Sequence, residues 1–243
     1  MLCVLCRVFR RWVDELAPDC ADVHDVLQAS AWPSDGLAPW GTLEQQERQH
    51  RAYAVWDTDP PAALRECVAL AEEGSVWGMI AAGQGIASGH GAPVDGAQAE
   101  TWFRRAHEHG SKAALLHLAH LYYERREFAR AEAVLLPAVE QGFAPAMYHL
   151  ACVHLKGAET GAPEPARVLL ERAAALGSLA AEHRLAMLMM KGRLGWRSIP
   201  TGWRLARAVA GKAMAELARE AKIDPGSAAE PAKLVASALP HPV

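Results

Sequence analysis

A chain of 243 residues holds one or two domains at roughly 100–200 residues each, and it buries a core large enough to need no disulfide staples. With 51% hydrophobic and 22% charged residues, wholesale disorder is excluded; 25 Lys and Arg against 28 Asp and Glu give a net charge of -3, without the global basic footprint of a nucleic-acid-binding protein. Five scattered cysteines, Cys3, Cys6, Cys20, Cys67 and Cys152, do not make the framework of a secreted disulfide scaffold, so a reducing, cytoplasmic setting is expected.

The opening MLCVLC run before Arg7 is too short and wrongly flanked for a signal peptide, and no apolar run approaches the roughly 20 residues of a membrane span. Over 4–16, Leu5, Val8, Phe9, Trp12 and Leu16 form one helical stripe, while Arg7, Arg10, Arg11, Asp14 and Glu15 supply a mixed polar face. That pattern predicts a helix docked as a cap, since a basic membrane-surface helix would lack the acids. A second helix is expected over 20–29, and WPSDGLAPWG at 32–41 is a turn-rich link. Cys3, Cys6, Cys20 and His24 have the residue types and outer spacing of a structural zinc site, yet cysteines on an apolar helix are more simply small hydrophobes. Residues 1–41 are thus predicted to form an N-terminal helical cap and linker.

From 43–56 and 61–73, which make a degenerate first helix pair, the sequence repeats. LAEEG, AHEHG, AVEQG and AAALG close at Gly74, Gly110, Gly142 and Gly177, spacings of 36, 32 and 35 residues, and Gly211 is a weaker fifth mark. The fourth residue after each glycine is small (Gly78, Ala114, Ala146, Ala181), as is the ninth (Gly83, Ala119, Ala151, Ala186). The eighth is Ala82, Leu118, Leu150 or Leu185, so these offsets define one packing face. The eleventh residue before each glycine is always alanine: Ala63, Ala99, Ala131, Ala166.

Each unit therefore predicts a helix after the glycine, an inner loop, and a second helix ending at the next glycine. Glycine supplies the left-handed helix stop, Ser75, Ser111 and Ser178 supply N-caps, and Pro145 opens the remaining junction. Asp59 and Asp95 are expected to cap the second helices, with Pro163, Pro165 and Pro200 at similar entries. Length differences fall in the inner loops near 89–96, 124–128, 157–165 and 192–200, where insertions disturb neither helix. Gly83-Gln-Gly85 lies inside a helix and reads as close packing, not a phosphate cradle. Trp102 and Trp203 occupy repeat-core offsets, whereas Trp32, Trp40 and Trp196 lie in loops, as anchors or as loop packing. The Ala- and Pro-rich end, 223–243, is expected to be a disordered tail.

AETWFRRAHEHG at 99–110, followed by Ala114, Leu118-Ala119 and Tyr122, resembles the Sel1-like repeat, a relative of the tetratricopeptide repeat; the same pattern recurs at 131–157 and 166–192. The resemblance covers about 60–211, with Val134 and Leu169 where Trp102 and Trp203 carry the aromatic, and without the cysteines of the family's disulfide-bonded secreted members. It implies an all-α, right-handed α-solenoid of about five antiparallel helix pairs over 42–222, used as a non-catalytic adaptor for proteins or peptides. The resemblance also implies a regulator or immunity-type inhibitor of a bacterial partner as one use of such a scaffold.

Within the repeats, His117 and His120 stand at the same offsets as His149 and Cys152, seven and ten after the glycine. Taking Leu118 and Leu150 as core-facing, these positions turn away from the core by about 100° and 160°. They are expected to line an exposed groove together with Tyr148, His183 and Arg184, and this groove is the predicted partner site. The competing reading is a metal, small-ligand or enzymatic site built on the same histidines. No G-x-S-x-G, H-E-x-x-H, P-loop or strand-linked G-x-G-x-x-G motif is present, so no catalytic residue, cofactor or metal is assigned, and neither nucleic acid nor membrane insertion is expected. Deleting 1–31 is expected to lower the melting temperature and promote aggregation; unchanged melting with lost liposome binding would make that helix a membrane element instead.

Overall fold

The computed structural model describes residues 42–157 and 163–220. The predicted helices at 4–16 and 20–29, the Cys3/Cys6/Cys20/His24 set, the link at 32–41, the tail from 223 and most of the loop at 157–165 fall outside those residues. Within them the fold is all-α: α1 (Leu43–Ala54), α2 (Pro60–Glu72), α3 (Val76–Ser88), α4 (Gly96–Glu108), α5 (Lys112–Glu124), α6 (Phe128–Glu140), α7 (Ala144–Gly157), α8 (Pro163–Ala175), α9 (Leu179–Met190), a 3-10 turn at Trp196–Ser198, and α10 (Ile199–Glu220). No strand occurs among the described residues, and no helix there is long and apolar enough to cross a membrane. The chain divides into two compact units between Leu176 and Gly177, the first with α1 to α8 and the second with α9, the 3-10 turn and α10.

The helices start and stop where the repeat predicts. Ser75, Ser111 and Ser178 are N-caps whose hydroxyls accept from the N–H groups of Gly78, Ala114 and Ala181 at 3.2–3.3 Å. Asp59 accepts from Ala62, and Asp95 accepts from both Ala97 and Gln98. Gly74, Gly110, Gly142 and Gly177 all take positive φ, between 78° and 92°, which a Cβ would strain. From α2 to α6 every helix is 13 residues long, so the variable repeat length lives in the turns. One of those turns uses Arg126 at φ 58°, a non-glycine residue in the left-handed region.

In the first unit each helix packs on its chain neighbours, and the first helix of one pair also touches the first helix of the next, α3 on α5 and α5 on α7. Small residues set that closeness. Ala63, Ala99, Ala131 and Ala166 are fully buried, as are Ala114, Ala146 and Ala151. At Gly78 a Cβ would lie 2.7 Å from the Ala71 backbone nitrogen, and at Gly83 it would press 2.6 Å against the Phe103 ring. Gly83-Gln-Gly85 is therefore a packing feature. Arg48 on α1 joins that helix to α2 through Glu66 at 2.5 Å and Glu73 at 2.7 Å.

Two expectations are corrected in the second unit. Gly211 ends nothing: α10 runs through it from Ile199 to Glu220, because Lys212-Ala213-Met214-Ala215 offers good helix formers in place of a Ser or Pro restart. Trp203 is not core; it is 44% exposed, whereas Trp102 at the matching offset is 7% exposed.

Replacing Ala151 by Leu should overpack the seam around α7 and cost about 1–3 kcal/mol in chemical denaturation. Arg126→Gly should instead raise stability by about 0.5–1 kcal/mol, because glycine takes positive φ without a Cβ clash.

Candidate functional site

The first helices of the repeats carry the histidine row that the sequence singles out, and the first unit brings five of the predicted residues together. His120, His149 and Cys152 line one small pocket of about 10 Å³ with Ala119, Tyr123 and Val153, along the seam of α5 and α7. Tyr148 meets the His149 ring edge-on at 5.6 Å, and His120 stacks on Tyr123 at 6.4 Å. Lys156 places its ammonium 4.5 Å over the Tyr123 ring. His183 and Arg184 belong to α9 in the second unit, where both are half-buried.

The expected exposure of the row is corrected. His117, His149 and Cys152 are buried, while His120 and Tyr148 remain half-exposed. The helical wheel turns this side away from Leu118, but a neighbouring first helix, admitted by small residues such as Ala119, covers much of it. His117 is held between neighbouring helices of the first unit: its ring stacks on Phe103 of α4 at 5.5 Å, and Gln84 Nε2 of α3 lies 3.4 Å from its Nδ1. Burial pushes His149 down to about 3, helped by the nearby His120 and His117, so its imidazole is neutral in the folded protein. His183 is lowered as well, by burial and then by the Arg184 charge.

Among the described residues no three His, Cys, Asp or Glu are placed to hold a metal, so the i, i+3 pairs His117/His120 and His149/Cys152 do not converge as ligands. Cys67 and Cys152 are both buried. Burial, aided by Glu66, pushes Cys67 up to about 12, which leaves it an unreactive packing group.

One polar cluster escaped the sequence reading. The Tyr122 hydroxyl donates to Glu100 at 2.7 Å and accepts from Arg104 at 2.9 Å, while Arg130 reaches Glu100 at 2.8 Å and lies 4.2 Å over the Tyr122 ring. Burial works to raise the Glu100 pKa, but the hydrogen bonds from Tyr122 and Arg104 and the Arg130 charge hold it below the usual carboxylate range. The cluster ties α4, α5 and α6 together. The repeat-pattern tyrosine at 122 was its only signal in the sequence.

No protein-family model matches the sequence, and no curated protein matches it. Among solved structures the chain is similar to a Sel1 repeat protein from Oxalobacter formigenes, at 16% identity and a TM-score of 0.52, over 70% of this chain and 76% of that one. It is also similar to a protective antigen present in uropathogenic Escherichia coli strains displaying an SLR fold, at 21% identity and a TM-score of 0.52. That match covers 69% of this chain and 38% of the antigen, so the chain spans little more than a third of its length. These likenesses establish the fold, an all-α solenoid similar to that of Sel1 repeat proteins, as the residue pattern predicts.

Because His149 stays neutral down to about pH 3 when folded but takes a proton near 6.5 when unfolded, acid favours the unfolded chain. Thermal melts should show stability falling as pH drops from 6.5 towards 5, with His149 contributing up to about 1.4 kcal/mol per pH unit. His149→Gln should flatten that slope. An unchanged slope would place the pH dependence elsewhere.

Proposed function

We propose that the protein is a non-catalytic scaffold that binds a protein or peptide along the first helices of its repeats. The observation that carries this reading is the division within each first helix: positions that pack stay small, such as Ala119 and Ala151, while positions beside them change from unit to unit. Offset six reads Ile80, Leu116, Tyr148, His183, and offset seven reads Ala81, His117, His149, Arg184. A stacked array of this kind supplies an extended surface whose side chains vary on a repeated frame.

In the first unit the solvent-reaching members, His120 and Tyr148, would make direct contact; His183 and Arg184 are the corresponding candidates on the second unit taken by itself. His117, His149 and Cys152 would act from beneath, fixing their neighbours' positions. Buried thiols and the lack of a secretory cysteine framework support work in a reducing cytoplasm. The finer role, regulator or immunity-type inhibitor of a bacterial partner, rests on the resemblance to the repeat family alone.

Affinity capture from the native cell tests this reading. The double variant His120→Ala/Tyr148→Ala should keep its helicity and melt within about 0.5 kcal/mol per substitution of the parent. Its retention of the captured protein should fall about tenfold, equivalent to roughly 1.4 kcal/mol. Undiminished capture by a folded double variant would remove the groove from the interface.

A further inference from the structure

Between Glu182 and Glu216 the sequence holds seven Lys and Arg and no Asp or Glu, which leaves 18 basic against 28 acidic residues in the rest of the chain. The second unit displays much of this charge on one helix. Gly202, Ala206 and Val209 face inward on α10, and a Cβ on Gly202 would lie 2.7 Å from Met189 Cβ of α9. The opposite side of α10 carries Trp203, Arg204 and Arg207, all exposed. Just before it, the 3-10 turn presents Trp196, 74% exposed, with the Arg197 guanidinium 5.3 Å over its ring.

The charges here are available. Lys212 is occupied by Glu182 at 2.6 Å, but Arg197, Arg204 and Arg207 pair with no carboxylate among the described residues. Trp196, 74% exposed, beside three guanidiniums that meet no carboxylate among the described residues, is an expensive surface for a protein to keep. Trp and Arg are also the side chains most enriched where binding energy concentrates, and the planar guanidinium fork matches a carboxylate in two hydrogen bonds.

We propose that this surface docks an acidic peptide segment of a partner protein, with an apolar side chain of the segment against Trp196 and Trp203 and its carboxylates on Arg197, Arg204 and Arg207. A short segment is favoured over a nucleic acid or an anionic bilayer by charge. Long or planar polyanions extend past the patch and meet a chain that otherwise carries ten more acids than bases. The proposal goes beyond the groove reading and needs only the surface of the second unit.

The test pans the full chain against a random library of peptides of about twelve residues. Enriched sequences should combine Asp or Glu with an apolar residue, and the affinity of the best one should fall as salt rises. Trp196→Ala, and separately Arg197→Ala/Arg204→Ala/Arg207→Ala, should each weaken that peptide about tenfold or more while melting is unchanged. The His120→Ala/Tyr148→Ala variant should bind it as the parent does, which keeps failure of this proposal distinct from failure of the groove. Enriched peptides without acids, equal binding to the Trp196 variant, or tighter patch-dependent binding of oligothymidylate or phosphatidylserine vesicles would each overturn it.

Discussion

Everything in the repeats depends on how closely two helices can approach at a small side chain. Ala63, Ala99, Ala131 and Ala166 are buried on the second helices, and Gly78, Ala114 and Ala146 answer them on the first. A 13-residue helix is too short to be stable alone in water, and one pair cannot enclose its own apolar face. Stability then comes from nearest-neighbour contacts, and these small positions decide how much of Leu118, Leu150, Leu135 and Leu170 each contact buries. A larger residue at one of them would separate two helices and weaken the seams on both sides.

The same closeness shapes the histidine row. Bringing α3, α5 and α7 together draws His117 and His149 out of solvent, where the His117 ring stacks on Phe103 and the neutral His149 ring meets Tyr148. The row is thus layered. Buried rings lie in the seams, and His120 and Tyr148 stand above them with part of their surface in water. A partner touching His120 would feel the burial of His149 indirectly, since both line the same pocket.

Much of this was legible because helix ends and close approaches leave single-residue marks. Gly74, Gly110, Gly142 and Gly177 stop helices by backbone conformation, and Ser75, Ser111 and Ser178 restart them by capping, both properties of the residue itself. What the pattern could not give is what covers a given face. His117 and His149 were expected to be exposed because periodicity fixes a direction from the helix axis but not the neighbour lying there. Gly211 looked like a stop because its spacing fits, yet spacing without a following cap does not end a helix. The Glu100, Tyr122 and Arg130 cluster joins residues up to 30 apart on three helices, and no local pattern marks it. Arg126 was equally hidden, since the chain there takes the left-handed turn with a residue that does not advertise it.

Trp102 and Trp203 show how one repeat position changes meaning with its surroundings. Both stand where the repeat places an aromatic, and in the first unit Trp102 is buried, so that it adds to the core. In the second unit α10 continues straight on, and the same offset reaches the surface. Trp203 is 44% exposed there, and beside it Arg204 and Arg207 have no carboxylate partner among the described residues. Packing within the unit does not require either choice, because Gly202, Ala206 and Val209 already supply the contact with α9. An exposed Trp196 beside arginines that meet no carboxylate among the described residues is therefore not required by the packing of the repeat.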